Sequence, residues 1–118
     1  MKDYRQITRD ISASLGSLRY GLPETMPGFS ALAQAATKPQ ALDHKTRELI
    51  GLAIGIGTYC DGCIGFHAQE VVRLGATRSE VEGALGMAIY MGGGPSAMYA
   101  ADAVAAFEQF STQPSVPA

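Results

Sequence analysis

Glu48, Cys60, Cys63 and His67 are the residues of this chain whose types and spacing suit chemistry. On an α-helix three residues rise about 4.5 Å and turn about 300°, which sets the Cα atoms of Cys60 and Cys63 roughly 5 Å apart, inside the range a disulfide spans. His67 lies one turn beyond Cys63 and two turns beyond Cys60, so the three side chains share a stripe. A short Gly57-Thr58 connection comes before them. It implies that the preceding helix packs antiparallel and returns the Glu48 carboxylate toward the histidine.

These are the parts of a thiol redox site. The thiolate is the nucleophile, and a cysteine in the first turn of a helix has its pKa lowered by unpaired amides and the helix dipole, at times to between ~3.5 and ~7.5. Cys60 receives that help directly. Cys63 is the sulfur nearer His67, which is placed to take its proton while Glu48 orients the imidazole and stabilises its charged form. Either sulfur is open to activation on this reading. A low-pKa thiol with a second one turn away reduces a peroxide, passes through a sulfenic acid and closes to a disulfide, which a reductant reopens.

Other uses of the same residues are weaker. Zinc would find two thiolates, an imidazole and a carboxylate here, but structural zinc sites usually join ligand pairs from separate loops, whereas three of these four follow one helical stripe. Cysteines also serve as small core hydrophobes, His67 would suit a core histidine, and Glu48 a surface pair with Lys45 or Arg47; their common register favours the redox reading. His44, one turn before Glu48, reads as a solvated residue at a helix start. Met87, Met91 and Met98 read as core filler, and Tyr59, Tyr90 and Tyr99 as a pocket wall or an interface. Gly92-Gly93-Gly94 lacks the Lys-Ser/Thr of a phosphate-binding loop and reads as an interhelical turn.

The elements that position these groups are helical throughout. Tyr4, Ile7, Ile11, Leu15 and Leu18 recur at spacings of three and four, giving a first helix over 4–18. Pro27 opens a short second helix that stops at Thr37, before Pro39. Asp43 caps a third, running through Glu48 to Gly57. The fourth runs from Cys60 to Leu74 and stops at Gly75. Thr77-Arg78-Ser79-Glu80 is a capping box that starts the fifth, over 77–91. Pro95 opens the sixth, which reaches Phe110, and a frayed tail is expected from Thr112. No stretch alternates with period two between hairpin turns, so the chain reads as an all-α bundle of about six helices in one domain over 1–118. Between Leu85 and Phe107 there is almost no polar face, and such helices need cover on all sides, which a second copy of the chain supplies. A homo-oligomer is expected.

Composition narrows the function further. Apolar residues make up 47% of the 118 and charged residues 17%, so the chain can bury one core and is not of the disordered class. A net charge of −2 offers no basic footprint for nucleic acid or anionic membrane, and two cysteines cannot frame a disulfide-rich secreted scaffold. Met1-Lys2-Asp3-Tyr4-Arg5-Gln6 leads into no apolar signal region, and the glycines at 92–94 with Pro95 interrupt the most lipid-like stretch. A cytoplasmic, reducing setting is expected, with no membrane or nucleic-acid partner.

The pattern Glu-x11-Cys-x-x-Cys-x3-His, with Leu42-Asp43-His44-Lys45-Thr46-Arg47-Glu48-Leu49-Ile50 before it and Ala88-Ile89-Tyr90-Met91-Gly92-Gly93-Gly94-Pro95 after it, resembles the alkyl hydroperoxidase D-like branch of the carboxymuconolactone decarboxylase superfamily. The resemblance spans roughly residues 25 to 110. It implies an all-helical domain assembled as trimers or hexamers, and thiol-dependent peroxidase activity without metal or organic cofactor. The implied substrate is hydrogen peroxide or a small organic hydroperoxide, with a dithiol protein or small thiol as reductant. It further implies that Cys63 meets the peroxide, Cys60 resolves it, and Glu48 and His67 relay the proton. Dithiol-disulfide exchange serving a redox partner is the alternative, as is a family member without peroxidase activity. Decarboxylase members act on a lactone acid through acid-base groups and have no need of a cysteine pair. Where the better-known hydroperoxidase has a histidine just before the second cysteine, this chain has Gly62, which on the sequence alone removes a polar group from the pocket mouth.

Overall fold

Six α-helices form over residues 1–112, the part of the chain that the computed structural model describes: α1 (Tyr4–Gly21), α2 (Thr25–Thr37), α3 (His44–Gly57), α4 (Asp61–Arg73), α5 (Arg78–Gly92) and α6 (Gly94–Ser111). There is no strand among the described residues, and the tail expected to fray lies almost wholly outside them. The caps follow the sequence. Asp43 accepts from the Thr46 amide at 2.8 Å, and Thr77 and Glu80 form the reciprocal capping box. Gly75, at φ 78°, closes α4 in the left-handed conformation that glycine adopts without a Cβ penalty. Only Gly93, at φ 74°, separates α5 from α6.

α3, α4, α5 and α6 pack together around Leu52, Ile56, Ile64, Val71, Val81 and Leu85. α6 contributes small residues, Ala100, Ala103 and Ala106, which let its backbone come close to α4. Lys45 of α3 pairs with Glu80 of α5 at 2.8 Å. Arg78, at the start of α5, pairs with Glu108 near the end of α6 at 2.7 Å, as an antiparallel hairpin requires.

α1 seats on α4 over two glycines. A Cβ at Gly62 would lie 2.7 Å from Ile11 Cδ1, and one at Gly65 would lie 2.7 Å from Thr8 Cγ2. Gly62 therefore does more than remove a polar group from a pocket mouth: it leaves the space that the end of the Ile11 side chain of α1 fills, and a larger residue there would make that end give way. The N-terminal end of α1 is tied down by Lys2, whose ammonium reaches Asp61 at 2.9 Å and Asp102 at 3.1 Å, and by the Tyr4 hydroxyl, which donates to Asp61 at 3.2 Å. Burial of the Tyr4 ring, then the charges of Asp102 and Asp61, push its phenol pKa well up, so it stays a donor.

The second half of α1 and the whole of α2 stand away from this core. α2 has no buried residue, meets only α1 and α3, and leaves Phe29 and Leu32 more than three-fifths exposed. Met87, Met91 and Met98 do not fill the core either: they are 61%, 77% and 68% exposed. With Ile50 and Ile54 of α3, the first two line an open apolar groove of about 530 Å³ between α3 and α5. No described helix is long and apolar enough to cross a membrane.

Candidate functional site

The site is built at the joint between α3 and α4. The Tyr59 amide donates to Ile56 O at 3.3 Å and the Cys60 amide to Gly55 O at 3.0 Å, which together form a Schellman motif. Tyr59 takes the left-handed position, φ 58°, that Gly75 takes at the end of α4. Cys60 is at once the closing residue of this motif and the N-cap of α4, with its Sγ accepting from the Cys63 amide at 3.1 Å. Cys60 and Cys63 are joined by a disulfide across a Cα separation of 5.2 Å, matching the helical spacing.

α3 meets α4 through a stripe of Glu48, Gly51 and Gly55, spaced three and four apart. The ring of His67 lies over Gly51, where a Cβ would stand 2.8 Å from Cε1 and 2.9 Å from Nδ1. Cys63 lies over Gly55, where a Cβ would be 3.2 Å from the cysteine Cβ. Two glycines thus admit the imidazole and the sulfur-bearing residue to the surface of α3. The register 48, 51, 55 against 67, 67, 63 runs antiparallel, so the Glu48 carboxylate returns to His67 as its position predicts.

Glu48 Oε2 lies 2.5 Å from His67 Nδ1. A carboxylate can only accept, so Nδ1 carries the hydrogen and Nε2 of the neutral ring keeps its lone pair for an incoming proton. Glu48 is 5% exposed. Burial raises its pKa, but the hydrogen bond and charge of His67, followed by those of His44, outweigh that and hold the carboxyl below its ordinary range. His44 does begin α3, with its side chain 30% exposed. What the sequence reading lacked is its partner: His44 Nε2 faces Glu48 Oε1 at 3.3 Å. Spacing of four on one helix was the available signal. Lys45 and Arg47 leave Glu48 alone: Lys45 pairs with Glu80, and Arg47 donates to Ala36 O at 2.8 Å. His44, Glu48 and Glu70 form a His-Glu-Glu group of metal-ligand chemistry, their donor atoms within 4.8 Å of one another.

Tyr59 and Tyr99 approach each other beside Cys60, with ring centroids 5.2 Å apart. Tyr90 is exposed on α5. The arrangement can make and break a sulfur-sulfur bond, and can move a proton to and from a histidine whose second nitrogen is anchored on a buried carboxylate.

The model of the carboxymuconolactone decarboxylase family matches residues 23–106. Among curated relatives, an uncharacterized protein of Cupriavidus necator is 36% identical over 106 residues, covering 90% of this chain and 94% of the relative. Uncharacterized protein 4 in the cox locus of Paracoccus denitrificans is 31% identical, covering 83% and 88%. Among solved structures, the apo form of a carboxymuconolactone decarboxylase family protein from Legionella pneumophila superposes with a TM-score of 0.90 at 58% identity, covering 92% of this chain and 97% of that one. A family protein from Thermotoga maritima, described as a candidate for the antioxidative response, gives a TM-score of 0.73 at 29% identity, covering 85% and 88%. A family match across most of the chain, with six helices in the same arrangement at 58% identity, establishes that this chain belongs to the carboxymuconolactone decarboxylase family.

Proposed function

We propose that this chain is a thiol-dependent peroxidase of the alkyl hydroperoxidase D-like kind, acting on hydrogen peroxide or small organic hydroperoxides. The observation that carries the reading is the bonded Cys60–Cys63 pair one helical turn from an imidazole that a buried carboxylate holds. In the reduced chain, His67 Nε2 takes the proton of Cys63, and the thiolate attacks the outer peroxide oxygen. The O–O bond breaks, the alkoxide leaves with the proton from His67, and Cys63 becomes a sulfenic acid. Cys60 then attacks that sulfur, water leaves and the disulfide forms. Two thiols and one peroxide give one disulfide, one alcohol and one water. A dithiol protein or small thiol in the cytoplasm supplies the two electrons that reopen it. The antioxidative description of the Thermotoga maritima relative agrees with this use.

The assignment of Cys63 to attack and Cys60 to resolution is what the resemblance to the alkyl hydroperoxidase D-like branch implies; the helix cap favours Cys60 and the spacing to His67 favours Cys63, so the residues alone leave either sulfur open to activation. The chain works as a homo-oligomer, a trimer or hexamer. In support, the groove of Ile50, Ile54, Met87 and Met91 and the unpacked Phe29 and Leu32 of α2 are apolar surfaces that one copy leaves uncovered. Light scattering after size exclusion tests this, and a stable monomer at micromolar concentration overturns it.

The peroxidase reading is tested by stopped-flow mixing of the reduced protein with peroxide. Loss of two thiols per chain with one equivalent of peroxide supports it. A thiol pair that ignores peroxide but exchanges rapidly with a protein disulfide points to the exchange protein, and thiols no more reactive than free cysteine leave a family member without redox activity.

A further inference from the structure

Beside the Glu48–His67 pair, three metal-binding donors from two helices converge. His44 and Glu48, one turn apart on α3, and Glu70 of α4 bring an imidazole nitrogen and carboxylate oxygens within 4.8 Å of one another. The separation of His44 Nε2 from Glu48 Oε1 is 3.3 Å. That is long for a charge-assisted hydrogen bond, which closes to about 2.7–2.9 Å. It equals the edge, roughly 3.3 Å, of a tetrahedron whose corners lie ~2.0–2.1 Å from a zinc ion.

We propose that His44, Glu48 and Glu70 form a binding site for a divalent transition metal, zinc being the best match, separate from the two sulfurs and independent of their redox state. One imidazole and two carboxylates suit zinc in donor type, and the two negative charges balance the ion. The outer shell is already present. Glu48 binds through Oε1 while Oε2 stays on His67 Nδ1, and Glu70 is held by Arg73, whose nearest nitrogen is 2.6 Å from Oε2. Entry is open, because the His44 and Glu70 side chains are 30% and 36% exposed. Donors within 4.8 Å of one another must close by about 1.5 Å at most to reach the ~3.3 Å tetrahedral edge, and the partly exposed Glu70 side chain has room to make that movement. Among the described residues its side chain is tied to Arg73 by an exposed ion pair, of the kind that contributes little to stability. The fourth position is left to water, as in open zinc sites.

The test is equilibrium dialysis of the untagged, disulfide-bonded protein against zinc, in which the sulfurs are unavailable as thiolates. One saturable zinc per chain is expected. His44→Gln and Glu70→Gln should each weaken it at least tenfold, while the Cys60→Ser/Cys63→Ser double variant retains it. Circular dichroism checks that each variant is folded. No saturable binding up to 1 mM zinc, at a concentration on the order of weak surface sites, overturns the proposal, as does binding that both His44→Gln and Glu70→Gln leave unchanged. Zinc held only by the reduced protein and lost in the double cysteine variant also overturns it, since the ion then belongs to the thiols. No turnover is measured, so failure of the peroxidase reading leaves the result intact.

Discussion

Gly51→Ala is the sharpest probe of how the relay is held. The new methyl group would sit 2.8 Å from His67 Cε1. Carbon atoms in contact prefer about 3.5 Å or more, so the ring must retreat by roughly 0.7 Å. The retreat stretches the His67–Glu48 bond from 2.5 Å by up to that amount, to about 3.2 Å at most, the outer edge of useful geometry. A charge-assisted bond contributes about 1.5–3 kcal/mol, and weakening it by half costs about 1 kcal/mol of support for the imidazolium. That corresponds to a fall of roughly five- to tenfold in thiolate-dependent rate. Alanine in mid-helix gains about 1 kcal/mol over glycine, while overpacking costs about 1–3 kcal/mol, so global stability should fall by no more than about 2 kcal/mol. The assay pairs urea unfolding with the rate at which the reduced thiols react with peroxide. Gly83→Ala is the control: nothing lies within 4 Å of a Cβ there, so it should raise stability by up to ~1 kcal/mol and leave the rate alone. A Gly51→Ala protein with the wild-type rate would refute the claim that close approach of α3 positions the imidazole.

Cys60→Ser and Cys63→Ser should each abolish peroxide turnover, and full activity in either, by peroxide consumption, would end the two-thiol cycle. In the reduced state Cys60→Ser should keep the stability of α4, since serine is a strong N-cap, whereas Cys60→Ala should lose about 1 kcal/mol by urea titration. Because the folded protein holds the Glu48 carboxyl below its ordinary range, its charge stabilises the fold above the unfolded-state pKa. That contribution is lost as pH falls through the folded value. The stability gap between wild type and Glu48→Gln should therefore be widest near neutral pH and narrow below pH ~4, by urea midpoints at several pH values. Ser96→Ala should raise the melting temperature, with a gain of about 1 kcal/mol, because the Ser96 hydroxyl is fully buried and has no hydrogen-bond partner among the described residues.

What could be read in advance follows from which interactions are local. The caps at Asp43, Thr77 and Gly75 depend on residues within a few positions of each other, and each lies where the sequence places it. So does the Cys60–Cys63 spacing, a matter of helical rise alone. Non-local packing was less legible. The role of Gly51 requires knowing that an imidazole from α4 lands on it, and that of Gly62 requires knowing that Ile11 crosses above it. The methionines at 87, 91 and 98 look like core in a helix with little polar face, yet a single copy leaves them outside. His44 was within reach, four residues before Glu48, but its partner's burial decides its role, and burial is a tertiary property.

The double use of Cys60 makes the segment from Thr58 to Cys60 unlike an ordinary connection. Surface loops generally absorb inserted or deleted residues, because their length is decoupled from the elements they join. Here the backbone amide of Cys60 completes one helix and its sulfur begins the next, so a single added residue would break both ends and rotate the sulfur out of line with His67. The length of this three-residue bend is constrained as tightly as the identity of the cysteine itself.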